Sequence, residues 1–255
     1  MEITVRAILL DSDGTLLSTT PAVLRTIGAW CIAQSVDPRQ VAAAHHGTRS
    51  IDLLRRFMRV PKLGSECTEE ELQAEVEKLE GGVVETARKM KEQGKEGIEK
   101  LPGVETLLNK LREGGSAWGI VTSATSTHAF PALDVAGIGH SCPEVPFVVT
   151  GEMVQKGKPD PAPYLAGLAE LRKLIPDLKP EEVLVIEDAP SGLISGKAAG
   201  CRVLGVCTGP VKAEEVLEAA KEVEGAVVVK DLSQVEIVSC SSKEVKLRFE
   251  PLTQA

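Results

Sequence analysis

Aromatic residues are scarce. Two Trp, one Tyr and four Phe supply only 3% of the 255 residues, too few for a platform that stacks nucleic-acid bases. An excess of basic charge is also missing: 29 Lys and Arg stand against 37 Asp and Glu, for a formal net charge of −8. A general polyanion-binding face needs a positive field, so neither a nucleic-acid nor an anionic-membrane partner is expected. A local anion site built from a few lysines, hydroxyls and backbone N–H groups is not excluded. No run approaches the roughly 20 apolar residues of a membrane helix. The first apolar run, flanked by Glu2 and Arg6, is too short for a signal peptide. Six cysteines occur without a Cys-x-x-Cys pair, so neither a zinc site nor a disulfide framework is expected, and a reducing, cytoplasmic compartment is. Internal repeats and low-complexity tracts are absent as well.

What is present is a recurring strand signal. Thr4–Leu10 is a nearly continuous apolar run ending at Asp11, as expected of a strand buried on both faces of a parallel sheet. Comparable runs occur at Ala117–Val121, Val145–Val149, Val183–Ile186, Arg202–Val206 and Ala226–Val229, with helix-forming stretches between them. The alternation predicts an α/β fold with a doubly wound, mostly parallel, Rossmann-like sheet. From about Ser18 to Ile98 no such run appears; the segment is dense in Ala, Leu, Glu, Lys and Arg, and Glu69–Leu79 has helical spacing. The expected organisation is therefore a core of residues 1–17 and 99–255 with an all-helical insert at 18–98. The tail Val235–Phe249 reads as a hairpin turning at Ser241–Glu244.

The chemistry-bearing residues follow the strand signals. Asp11-Ser12-Asp13-Gly14-Thr15 closes the first run, where open parallel sheets bind ligands. Asp11 has the character of a nucleophile and metal ligand, and Asp13 that of a general acid and base; an ordinary Asp-Gly turn is the bland alternative. Thr122 and Ser123 end the second run and can hold phosphate oxygens or simply cap a helix. Lys158 sits between Gly157 and Pro159, a shaped turn that can aim an ammonium at a phosphate and at Asp11, although most lysines are solvated. Glu187-Asp188 end a further run ahead of Ala189-Pro190; an acid pair suits a hard cation such as Mg²⁺, or Asp188 caps a helix. Taken together, the four strand ends supply every role that phosphoryl transfer needs. A nicotinamide-binding fold is excluded, because the first strand turn carries two carboxylates and no Gly-x-Gly-x-x-Gly.

The order of these motifs resembles the haloacid dehalogenase superfamily, in its phosphatase branch. The resemblance implies Asp11 as nucleophile, Asp13 as acid and base, and Thr122 and Lys158 as catalytic partners. It also implies Mg²⁺ held by Asp11, the Asp13 backbone carbonyl and Asp188, with Glu187 in support, and a helical cap of the C1 type in place of the insert. Ser18-Thr19-Thr20, His46-Gly47-Thr48-Arg49, Lys78-Leu79-Glu80-Gly81 and Gly196-Lys197-Ala198-Ala199-Gly200 are similar to the fungal 2-deoxyglucose-6-phosphate and glycerol-phosphate phosphatases. Ser18 departs from the Asp of many relatives, and Thr48 stands where the glycerol-phosphate group has a bulky aromatic. Selectivity is expected in the cap, with Arg49 and His46 as candidate substrate-binding residues beside Ser123 of the core. The implied activity is Mg²⁺-dependent hydrolysis of a small phosphorylated sugar or polyol, a 2-deoxyglucose-6-phosphate-like hexose phosphate first and glycerol phosphate next. A monomer or weak dimer is expected. A sugar phosphomutase on the same scaffold and a non-enzymatic regulator are the alternatives.

Overall fold

The computed structural model describes residues 1–45, 48–58 and 67–252. Strands β1 (Glu2–Val5) and β2 (Ala7–Leu10) open the chain, and the short β3 (Leu17–Ser18) leads into helices α1 (Thr20–Gln34), α2 (Pro38–His45), α3 (Ser50–Phe57) and α4 (Glu69–Glu92). Helix α4 begins with a capping box in which Thr68 and Glu71 satisfy each other's backbone N–H, and it carries acids in its first turn and lysines in its last, matching the helix dipole. Strand β4 (Glu99–Lys100) then pairs antiparallel with β3, so the helical insert leaves and rejoins the core through a two-stranded neck.

Strands and helices alternate thereafter: α5 (Val104–Glu113), β5 (Ala117–Val121), α6 (Ser126–Val135), β6 (Val148–Val149), α7 (Ala162–Leu174), β7 (Val183–Glu187), α8 (Pro190–Ala198), β8 (Arg202–Val206), α9 (Ala213–Glu222) and β9 (Val227–Val229). The hairpin β10 (Val235–Cys240) and β11 (Val245–Phe249) follows. The main sheet runs in the order β6-β5-β2-β7-β8-β9, and its pairs are parallel. Connections wind outward in both directions from β2, so its carboxyl end is the switch point where such sheets leave a crevice.

The sequence run Thr4–Leu10 proves to be two strands. Arg6 interrupts it: its guanidinium pairs with Asp177 and Glu182 at the surface, and its N–H goes to the Glu182 carbonyl. Before the break, β1 joins β10 and β11 in a separate antiparallel sheet. The third run is also shorter than its composition suggested, because Pro146 has no N–H to give to the ladder; only Val148 and Val149 pair.

Every residue of β2 is fully buried. Ile8 and Leu10 pack into the core beneath α5 and α6, and Ala7 and Leu9 into the core beneath α7. The insert has its own core around Trp30, Leu53, Leu54 and Val76, while Ala22, Val83, Val84 and Ala87 at its base join the first core. Both tryptophans are core residues. Leu9→Ala opens a void at the centre of the second layer and is expected to cost about 2–5 kcal/mol, read as a lowered urea midpoint at unchanged slope.

Candidate active site

Asp11 lies one residue beyond β2, and its N–H continues the ladder to the Ile186 carbonyl, which fixes it at the sheet's edge. Only 6% of the residue is exposed. Lys158 reaches it from the loop ahead of α7, donating from Nζ to Asp11 Oδ1 at 2.7 Å, to Glu187 Oε1 at 2.6 Å and to the Val121 carbonyl at 3.0 Å. All three ammonium hydrogens are thereby used. Glu187 is equally engaged: Oε1 also accepts from Tyr164 Oη at 2.7 Å, and Oε2 accepts from the N–H groups of Asp188 and Ala189. The bland reading of Lys158 as a surface side chain is therefore excluded.

Asp188 is not a helix cap. The cap position of α8 is Ala189, with no side-chain cap bond, and Asp188 Oδ1 instead accepts from Thr15 Oγ1 at 3.3 Å. Two glycines let the acids come this close. Gly14, at φ +97°, has no Cβ where Asp188 Oδ2 stands 2.0 Å from the ideal Cβ position, and a Cβ on Gly192 would lie 1.9 Å from Glu187 Cδ. Asp11, Glu187 and Asp188 consequently offer oxygens that all lie within 4.8 Å of one another.

Three buried carboxylates against one buried ammonium leave excess negative charge. Burial, followed by repulsion from Glu187, pushes the Asp11 carboxyl well above the usual carboxylate range, even though Lys158 pulls it back. For Lys158 burial works against the ammonium, but the attraction of Asp11 and Glu187 outweighs it and the pKa is raised. A hard divalent cation with oxygen ligands fits such a donor set.

Asp13 projects from the same turn toward α6, where His128 Nε2 stands 2.8 Å from its Oδ1. Burial disfavours a charged His128, yet attraction to Asp13 and Glu80 raises its pKa above that of an ordinary imidazole. Thr122 closes β5; its N–H pairs with the Val149 carbonyl and its Oγ1 accepts from the Ala124 N–H, so the hydroxyl hydrogen is not used in that contact. Glu80 of α4 reaches the N-terminus of α6, where Oε2 accepts from the Thr125 N–H at 2.9 Å and from its hydroxyl. Burial raises the Glu80 pKa, partly offset by Ser50 and Thr125; Oε1 itself completes no hydrogen bond.

A cavity of about 110 Å³ opens between these strand ends and the insert. Six of the residues to which the sequence pointed line it, namely Asp11, Asp13, Thr122, Ser123, Glu187 and Asp188, and Lys158 braces Asp11 from behind. Arg49 is placed elsewhere. Its guanidinium grips Asp52 and donates to the Val154 carbonyl at 2.9 Å, tying the insert to the loop that precedes Lys158. His46 lies outside the described residues. Sequence reasoning passed over His128 and Tyr164, and it names Glu80 only inside Lys78-Leu79-Glu80-Gly81, with no role of its own. His128 was a lone histidine outside any motif, Glu80 one acid among many on α4, and Tyr164 a ring on a helix.

Comparison with known proteins agrees with this geometry. Residues 8–206 match the family described as haloacid dehalogenase-like hydrolase. Hexitol phosphatase A of Escherichia coli is 38% identical over 79% of this chain and 82% of its own length. The 2-deoxyglucose-6-phosphate phosphatase 1 of Saccharomyces cerevisiae is 30% identical over 97% and 96%. A crystal structure of a putative beta-phosphoglucomutase from Bacteroides vulgatus superposes with a TM-score of 0.66 at 26% identity, covering 90% of this chain and 85% of that one. The match spans β2 through β8 and establishes that this chain belongs to the haloacid dehalogenase-like hydrolases, among their phosphatases.

Proposed function

We propose that the protein is a Mg²⁺-dependent phosphatase acting on a small, singly phosphorylated sugar or polyol through an aspartyl phosphate on Asp11. The observation that carries this reading is the gathering of Asp11, Glu187 and Asp188 around one point, with Lys158 bonded to Asp11. Glu187 spends its oxygens on Lys158, Tyr164 and two N–H groups. Asp11 and Asp188, with the Asp13 backbone carbonyl, are the groups that would hold Mg²⁺, and Glu187 supports them. When bound, the ion supplies charge neutralisation between an anionic ester and an anionic nucleophile.

In the first step an Asp11 carboxylate oxygen attacks phosphorus and the ester P–O bond breaks. The leaving oxygen takes the proton of Asp13, so the alcohol departs neutral. In the second step Asp13, now ionised, accepts a proton from water as the water oxygen attacks phosphorus. The bond between phosphorus and Asp11 breaks, and inorganic phosphate and both starting carboxyl states result. Thr122 and Ser123 hold phosphate oxygens at the end of β5. The helical insert acts as the cap, excluding bulk water and meeting the sugar, and Arg49, through the Val154 carbonyl, helps seat it.

The cavity wall supports this substrate class. Glu80, Thr48 and Ser50 are the polar groups that α3, α4 and the chain before α3 contribute, and no Lys or Arg lines the cavity among the described residues. Hydroxyl groups suit that wall and a second anionic group does not. The relative named hexitol phosphatase and the relative named for 2-deoxyglucose 6-phosphate support the same class. A sugar phosphomutase is the second reading, favoured by the neighbour named for that activity; it would have to seat a bisphosphate against the acidic wall.

Phosphate release should be compared by kcat/KM across hexitol, hexose, pentose and glycerol phosphates and 2-deoxyglucose 6-phosphate. Turnover of one or more of these without a bisphosphate activator is expected, and activity only with such an activator would establish the mutase. Asp11→Asn should leave a folded protein whose kcat falls at least about a thousandfold; near-normal turnover would remove Asp11 as nucleophile. EDTA should abolish activity and Mg²⁺ restore it, whereas hydrolysis unaffected by chelation would contradict the metal assignment.

A further inference from the structure

We infer that His128 is the positioning residue for the acid and base carboxyl of Asp13, and that Glu80 of the insert completes the arrangement. The inference rests on the phosphatase reading above and adds two residues to it.

Asp13 sits on a turn between the buried β2 and the neck, and about a quarter of its side chain remains exposed, 26%. A carboxyl in that position has two torsions to fix, each of which costs entropy to hold. It must nevertheless meet the leaving oxygen in one step and the incoming water in the next, both within hydrogen-bond reach. His128 Nε2, 2.8 Å from Asp13 Oδ1, fixes one oxygen and with it the plane of the carboxyl group. The imidazole is well suited to this, because it is 4% exposed and lines the same cavity as the reacting groups.

The backbone under His128 is held from outside its own helix. Helix α6 has no acidic residue in its first turn and no side-chain cap bond. Two foreign carboxylates do that work: Glu80 Oε2 on the Thr125 N–H, and Glu152 Oε1 on the Ser126 N–H. Anions at a helix N-terminus are favoured by the exposed N–H groups and the dipole. Glu80 belongs to α4, and α4 lies along α6 closely enough for Gly81 to face the Thr127 methyl. Seating the insert on the core therefore places Glu80 on the start of α6, and the third residue of that helix, His128, on Asp13. A packed histidine that merely finds a nearby carboxylate would need none of this.

The test separates alignment of an acid and base from packing. His128→Phe keeps ring bulk and removes the donor, and His128→Gln returns an amide N–H to the position of Nε2. Both are assayed with Mg²⁺ on a hexose 6-phosphate, whose alkoxide needs a proton to leave, and on p-nitrophenyl phosphate, whose leaving group does not. For His128→Phe, kcat on the sugar phosphate is expected to fall about a hundredfold, within the range of general acid–base effects, with KM changed less than about threefold. On p-nitrophenyl phosphate the first step should stay within about fivefold. The second step should slow, giving a burst of about one p-nitrophenolate per enzyme as phosphoenzyme accumulates. His128→Gln should recover most of the loss, and Glu80→Gln should lower kcat in the same leaving-group-dependent way but by less. Equal losses on both substrates with no burst, in every variant that folds, would overturn the role. Asp13→Asn is the control: if it shows neither leaving-group dependence nor a burst, the assignment of Asp13 itself falls, and if it shows both while His128→Phe shows neither, only the present inference falls.

Discussion

The active site depends on one buried ammonium. Lys158 has 1% of its side chain exposed and lies between two carboxylates that are themselves almost wholly buried. Burial by itself drives Asp11 toward its neutral form. With Lys158 in place one charge holds both Asp11 and Glu187, and the Val121 carbonyl takes the remaining hydrogen. Removing one member of such a buried set leaves an uncompensated charge, a cost of about 3–5 kcal/mol. The same contact orients Asp11: Lys158 holds its Oδ1 at 2.7 Å, which restrains the rotation of its carboxylate. Tyr164 adds a second restraint, bonded to Glu187 and with its ring 5.0 Å from the ammonium.

The sheet makes this contact possible. Asp11 follows β2, Val121 ends β5, and Glu187 ends β7, and those three strands are adjacent and parallel. Their carboxyl ends are therefore level, and the side chains there need to span only the spacing between neighbouring strands, about 4.8 Å. Asp11, Thr122 and Glu187 come together because of strand order, and Lys158 reaches them from the loop ahead of α7. The neck of β3 and β4 starts from the turn that carries Asp13 and Thr15, so the insert is attached directly beside these strand ends.

This explains which parts of the site were legible in the sequence. Asp11, Thr122 and Glu187-Asp188 each end or directly follow an apolar run, and the run's length fixes where the strand must stop. Lys158 could be read because Gly157 and Pro159 shape its turn. The break at Arg6 could not, because Thr4–Leu10 carries the same apolar signal whether it feeds one sheet or two; the decision is made by Asp177 and Glu182, some 170 positions away. His128 and Glu80 were hidden for the same reason. Their roles come from the crossing of α4 over α6, and nothing in either helix's own periodicity reports a crossing. Sequence reasoning makes Arg49 a candidate substrate-binding residue of the insert, whereas the structure has it bonded to the Val154 carbonyl with its fork filled by Asp52 three residues on, a pairing that helical spacing permits.

The acidity of the wall bears on selectivity in a way that the phosphate end cannot. Any phosphomonoester meets the same Asp11, Thr122 and Lys158, so discrimination has to come from the part of the substrate that is not reacting. A second phosphate in that part of the cavity would face the Glu80 carboxyl, with no Lys or Arg lining the cavity among the described residues to offset its charge. A hydroxyl in the same place meets an acceptor. Glu80 thus touches two parts of the molecule at once: its Oε2 accepts from Thr125 at the start of α6, and its side chain lines the cavity. Exchange of Glu80 for a neutral residue is therefore expected to alter the contact between α4 and α6 and the cavity wall together.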